Sequence, residues 1–135
     1  MSEGRTSILD GIPIYLPALM KAEKIQKKAA KVGFDWTDKS DVWEKVNEEL
    51  AELNEAVAKG NQGDIDAEFG DALFSMVNYA RFIGVQPEES LQSAVKKFMG
   101  RFSYVEDTLR KNKKDIHETS FEEMDRLWNE SKQRE

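Results

Sequence analysis

Apolar residues return every three or four positions along most of this chain, and the stretches with that rhythm are separated by breaks rich in Gly, Pro, Asn and Asp. Residues 1–16 contain Gly4, Gly11 and Pro13 and read as an N-terminal arm or linker. From about Pro17 the stripe Leu19, Ala22, Ile25 and Ala29 predicts a first helix, ended near Gly33. The following loop, Val32-Gly33-Phe34-Asp35-Trp36, carries two aromatics expected to dock on the core or beside a ligand. N-cap residue types cluster between Asp38 and Asp41, so a second helix should begin there, run to about Lys59 and carry the stripe Val46, Leu50, Leu53 and Val57. Gly60-Asn61-Gln62-Gly63 breaks it, and a third helix is expected from about Asp64 to Ile83, stopped by Gly84. Pro87 suits the first turn of a fourth, whose stripe is Leu91, Val95, Phe98, Phe102 and Val105. After a basic connector, Lys111 to Lys114, Ser120 and Glu123 match a capping box for a last helix holding Met124, Leu127 and Trp128.

β-Branched residues are sparse and no alternating pattern occurs, so no strand is predicted. The pattern also shows no internal repeat. The expectation is an all-α fold of about five helices with a four-helix-bundle-like core, residues 17–135 forming a single domain.

The polar positions that interrupt this pattern point to chemistry. The third predicted helix is apolar over most of its circumference, yet Glu68, Asp71, Ser75 and Asn78 fall within roughly an 80° arc of it. On the second, Glu49 and Glu52 share the same i,i+3 spacing and border the apolar stripe, with Glu48 further round. Acid pairs at this spacing are common on solvated helices. A single polar stripe on an otherwise apolar helix is less easily explained that way, because a buried carboxylate without a partner is costly. A hard divalent cation, Mg²⁺ or Mn²⁺, is the simplest partner: it takes oxygen ligands, keeps waters, and suits carboxylates combined with substrate phosphates.

Composition narrows the choice. The 135 residues include no cysteine and one histidine, His117, which argues against thiolate chemistry, Cys-based zinc sites and a Ser-His-Asp triad. A formal net charge of −6 disfavours a general nucleic-acid binder. No apolar run is long enough to span a membrane and no signal pattern opens the chain, so a cytoplasmic protein is expected. Lys97 and Arg101, at i,i+4, share a helix face that reads as solvated when taken alone.

Glu48-Glu49-Leu50-Ala51-Glu52, followed by Glu68-Phe69-Gly70-Asp71, resembles the EExxE…ExxD signature of MazG-type nucleoside triphosphate pyrophosphohydrolases. Leu16-Pro17-Ala18-Leu19, Val32 to Trp36, Lys97-Phe98, Arg101-Phe102 and the tail around Trp128 are similar to the second domain of tandem MazG proteins, so the resemblance covers nearly the whole chain from about Leu9. It implies an α-helical enzyme that cleaves nucleoside triphosphates to monophosphate and pyrophosphate using magnesium. It also implies metal ligation by Glu49, Glu52, Glu68 and Asp71, and nucleotide contacts from Lys45, Glu48, Lys97, Arg101 and Trp128. Under it, Lys97 and Arg101 steady the leaving pyrophosphate, and Glu48 takes a proton from the attacking water or orients it. A homodimer or higher homo-oligomer is expected, because such hairpins bury more surface by pairing and the family is similar in doing so. Related hydrolases of dUTP, dCTP or phosphoribosyl-ATP share the acidic core, and a helical interaction module solubilised by its carboxylates is the reading from outside enzymes.

Overall fold

The computed structural model describes residues 6–135; residues 1–5, part of the predicted arm, lie outside the described residues. The chain is all-α. Five α-helices occur among the described residues: α1 (Ala18–Lys31), α2 (Lys39–Lys59), α3 (Gln62–Phe82), α4 (Pro87–Lys111) and α5 (Phe121–Gln133), with a 3₁₀ turn at Ile116–Glu118 and no strand. None of these helices is long and apolar enough to cross a membrane. The fold divides into two compact units, the first running to Glu88 and the second from Glu89 to Glu135.

Local chemistry sets the helix ends. Asp38 Oδ1 accepts the Ser40 N–H at 2.9 Å and opens α2. Gly60 closes it with φ of 79°, a left-handed conformation that a side chain would strain, and returns its N–H to the Ala56 carbonyl at 3.0 Å. Asn61 follows at once as the cap of α3, its Oδ1 accepting the Asp64 N–H at 3.1 Å. With so short a connection α2 and α3 fold back as an antiparallel hairpin. The third helix begins two residues before the expected Asp64 because Asn61 is its cap, which leaves Asp64 in the first turn against the positive helix end.

The first unit buries Val42, Val46, Glu49 and Ala56 from α2, Ala72, Ser75, Val77 and Ala80 from α3, and Gln26 from α1. This corrects the stripe expected on α2. Only Val46 of it is fully buried, while Leu50 is 43% and Val57 55% exposed. Burial follows steps of four and three residues from Val42 through Val46 to Glu49, so Leu50 and Val57 fall to one side with Trp43. Several of the residues the hairpin buries are small, Ala56, Ala72 and Ala80. The described part of the N-terminal arm is tied to α1: Lys21 Nζ donates to the Ile14 carbonyl at 3.0 Å and Lys28 Nζ to that of Asp10 at 3.5 Å.

In the second unit Val105, Leu109 and Leu127 form a small core, with Ile116, Met124 and Trp128 packed against it. Ser120 Oγ accepts the Glu123 N–H at 3.2 Å, as the capping pattern predicts, while the Glu123 carboxylate meets Lys114 and, at 3.9 Å, Arg126. The stripe expected on α4 is buried only toward its C-terminal end: Val105 is enclosed and Phe102 half-buried, but Leu91, Val95 and Phe98 are exposed.

Candidate metal centre

The hairpin brings acidic side chains from two helices together. One carboxylate oxygen from each of Glu49, Glu68 and Asp71 lies within 4.8 Å of the others. Glu49 stands on the buried line of α2 rather than at its border, and is only 7% exposed. Taking a carboxylate out of water is costly unless it is paired. Its pairing is partial: Lys45, one turn earlier, reaches Glu49 Oε1 at 2.9 Å and Glu48 at 3.7 Å. Glu49 Oε2 and Glu68 Oε2 are buried without a hydrogen-bond partner.

The electrostatics agree with the geometry. The hydrogen bond to Glu49 holds the Lys45 ammonium above its ordinary pKa, so Lys45 stays charged. Glu52 stands beside the group of three. The negative charge of Glu49, then loss of hydration, then the charge of Glu68 raise its pKa. A single lysine beside these carboxylates leaves an excess of negative charge. Oxygen ligands sharing one Mg²⁺ at about 2.1 Å stand within about 4.2 Å of one another, so modest side-chain adjustment suffices to close the group of three around an ion. An all-oxygen donor set with two orphaned buried oxygens fits a hard divalent cation.

A cavity of about 580 Å³ adjoins this group and shares Lys45, Glu49 and Asp71 with it. Leu9, Ile25, Val42 and Phe74 contribute apolar wall, and Phe34 and Trp36 bring the two loop aromatics to it. The polar stripe of α3 therefore divides in function. Glu68 and Asp71 join the carboxylate group, Ser75 Oγ donates to the Ala72 carbonyl of its own helix at 2.8 Å, and Asn78 Oδ1 accepts from Arg81 Nε and Nη2 at 3.0 and 2.6 Å.

Two residues of this region escaped the sequence reading. Arg81 also donates to both Asp35 oxygens, at 2.7 and 3.4 Å, and so pins the aromatic loop to α3. That guanidinium holds the Asp35 carboxyl below its ordinary range. Gln26 lies fully buried in the cavity wall, on the face of α1 that also carries Ala22 and Ala29. A polar side chain interrupting that apolar stripe was the signal that could have found it.

The other implied nucleotide contacts belong to the second unit. Arg101 sits over the Trp128 ring, 5.6 Å from its centroid, and binds the Glu135 carboxylate at 2.7 and 3.0 Å. This pairing, with a contribution from the positive charge of Lys97, lowers the Glu135 pKa. Trp128 also meets Phe98, their ring centroids 5.0 Å apart. Glu48 is exposed beside Lys45, His117 is exposed in the 3₁₀ turn, and the basic connector at residues 111–114 is exposed.

An antiparallel helical hairpin with converging, partly buried carboxylates beside an apolar cavity defines an all-α protein whose site suits a divalent cation. Residues 38–105, which span α2, α3 and most of α4, match the MazG nucleotide pyrophosphohydrolase domain, and the chain belongs to that family. It is 41% identical over 128 residues to the nucleoside triphosphate pyrophosphohydrolase/pyrophosphatase MazG of Thermotoga maritima, covering 95% of this chain and 49% of that protein. To the nucleoside triphosphate pyrophosphohydrolase of Escherichia coli K12 it is 42% identical over 133 residues, covering 96% and 50%. It is 51% identical over 131 residues to the uncharacterized protein YabN of Bacillus subtilis, covering 96% of this chain and 27% of that one. The chain thus spans about half the length of the Thermotoga and Escherichia proteins.

Proposed function

We propose that this chain hydrolyses nucleoside triphosphates to nucleoside monophosphate and pyrophosphate with Mg²⁺, Mn²⁺ substituting, in cytoplasmic nucleotide-pool housekeeping. The observation that carries the proposal is the set of three carboxylates within 4.8 Å of one another, two of them with an orphaned buried oxygen. Family membership and the names of the Thermotoga and Escherichia relatives support the reaction class.

Glu49, Glu68 and Asp71, joined by Glu52, are the residues that would hold the cation. When bound, the ion supplies charge neutralisation on the phosphate oxygens and polarises the bond that breaks. Positioning and electrostatics are the main demands of phosphoryl transfer, and the chain's own residues divide that work. Lys45 fixes the orientation of Glu49 and adds one positive charge beside the phosphates. Glu48, solvent-exposed, takes the proton of the attacking water or aligns that water. The basic and aromatic face of Lys97, Arg101 and Trp128 suits a phosphate chain and its nucleotide.

The active form is a homodimer or higher homo-oligomer, with residues 17–135 acting as one catalytic domain in each subunit. Support comes from the hairpin, which leaves Trp43, Leu50 and Val57 of α2, Phe69, Leu73 and Met76 of α3, and Ile83 just after it, exposed at heptad-like spacing.

Pyrophosphate release from a nucleoside triphosphate panel with magnesium tests the reaction. Glu52→Gln and Asp71→Asn should each lower turnover by about a hundred-fold or more. Wild-type turnover in both variants would remove the metal assignment, and orthophosphate as the first product would place the cleaved bond elsewhere.

A further inference from the structure

We propose that Arg81 is a positioning residue of this site: by holding Asp35 and Asn78 with one guanidinium it fixes the α1–α2 loop as a wall against which substrate is retained. The substrate class rests on the proposed hydrolysis, and the positioning role rests on the contacts of Arg81 itself.

Arg81 lies in the last turn of α3, its side chain 12% exposed. Its Nη2 donates to Asp35 Oδ1 at 2.7 Å and its Nη1 to Asp35 Oδ2 at 3.4 Å. Nε and Nη2 also donate to Asn78 Oδ1, about one turn back on the same helix. The planar fork thus joins a residue of the loop to a residue of the cavity wall, a bridge that the single ammonium of a lysine does not reproduce. Along the loop, Gly33 leaves α1 with φ of 92°, the Phe34 N–H returns to the Ala29 carbonyl at 3.1 Å, and Asp38 caps α2. Between those anchors Asp35 makes the loop's one ion pair among the described residues, and its Oδ1 also accepts the Trp36 N–H at 2.9 Å.

A pair that served stability alone would bury what it holds. This one does not. Phe34 is 81% and Trp36 43% exposed, so ordering the loop gains little from the hydrophobic effect and still costs chain entropy. Both rings nevertheless stand on the cavity that shares Lys45, Glu49 and Asp71 with the carboxylate group. Apolar surface held in place but uncovered beside a charged site gains cover when a ligand enters. Arg81 itself does not line the cavity, so it acts through its two partners and leaves the carboxylates untouched.

The test uses the full chain with magnesium and ATP, GTP, CTP and UTP. Arg81→Gln should raise KM for the nucleotide turned over best by about ten-fold and leave kcat within about two-fold, because the loss falls on retention. Asp35→Asn should act in the same direction, and the double variant should be no worse than Arg81→Gln, since both act through one bond. Arg81→Lys should behave as Arg81→Gln does. Mn²⁺ affinity should keep its wild-type value throughout. A wild-type KM in either folded single variant, losses that multiply in the double variant, or Mn²⁺ affinity lost alongside KM would overturn the proposal. Hydrogen exchange of the ligand-free protein reads the loop without turnover. The Trp36 amide should exchange several-fold faster in Arg81→Gln while the amides of α2 keep their rates, and an unchanged Trp36 rate would also overturn it. Should the wild type release no pyrophosphate from any nucleotide, the reaction reading fails separately, and calorimetric binding of the same nucleotides with magnesium takes the place of KM. Weaker binding in Arg81→Gln supports the positioning role, whereas equal binding in both proteins, or none in the wild type, overturns it.

Discussion

Glu49 shows how a single residue carries the site. A carboxylate on the buried line of a helix, with one oxygen answered by Lys45 and the other by nothing, is a structural liability unless a cation completes it. The acidic pairs were legible in the sequence because their spacing is local. The burial of Glu49 was not, because it depends on which side of α2 faces α3. Arg81 and Gln26 were missed for the same reason: their partners, Asp35 and Phe74, lie 46 and 48 positions away. The Asp35–Arg81 pair, with side chains 26% and 12% exposed, yields a pH prediction. The folded pKa of Asp35 lies below its ordinary value of 3.8, so the unfolded chain binds the proton first and the pair's contribution is full above that value. Asp35→Asn should cost on the order of 1 kcal/mol near neutral pH. In urea melts at stepped pH, the gap to wild type should close as pH falls through the lowered value, and a gap independent of pH would contradict the assignment.

At the scale of elements, the helix ends were the most legible feature. Asp38, Gly60 and Ser120 each act through atoms a few residues away, so their chemistry is written in short stretches of sequence, whereas Asn61, read only as part of the break after α2, turned out to cap α3. Stripes were less so. The expected stripe on α4 has its N-terminal half exposed, and periodicity alone cannot distinguish a face buried within the chain from one left for another surface. Gly70, inside α3, has open space where a Cβ would stand. Gly70→Ala should therefore stabilise the protein by about 0.5–1 kcal/mol, read from urea midpoints. Clash-type destabilisation would mean that another surface occupies that space. On α4, Glu135 competes for Arg101 with any anion bound there. Glu135→Gln should lower the inhibition constant of pyrophosphate, and an unchanged constant would remove Arg101 from the phosphate site.

At the scale of the whole molecule, the fold class followed from periodicity and the family from motifs, whereas the assembly depends on surfaces that no local pattern describes. The proposed assembly rests on the exposed apolar residues of α2 and α3. Light scattering at micromolar concentration should give twice the chain mass or more, and Met76→Glu should shift it toward the monomer. A wild-type monomer would contradict the assembly. Magnesium should raise the melting temperature of wild type more than that of Asp71→Asn, because a ligand bound only to the folded state stabilises it by mass action.

Mn²⁺ binding followed by electron paramagnetic resonance tests most directly whether Glu49, Glu68 and Asp71 hold a cation. Wild-type protein should remove free Mn²⁺ signal in a saturable titration, and Glu49→Gln and Glu68→Gln should each weaken that binding by about ten-fold or more. Equal affinity in all three proteins would show that these carboxylates do not bind the ion.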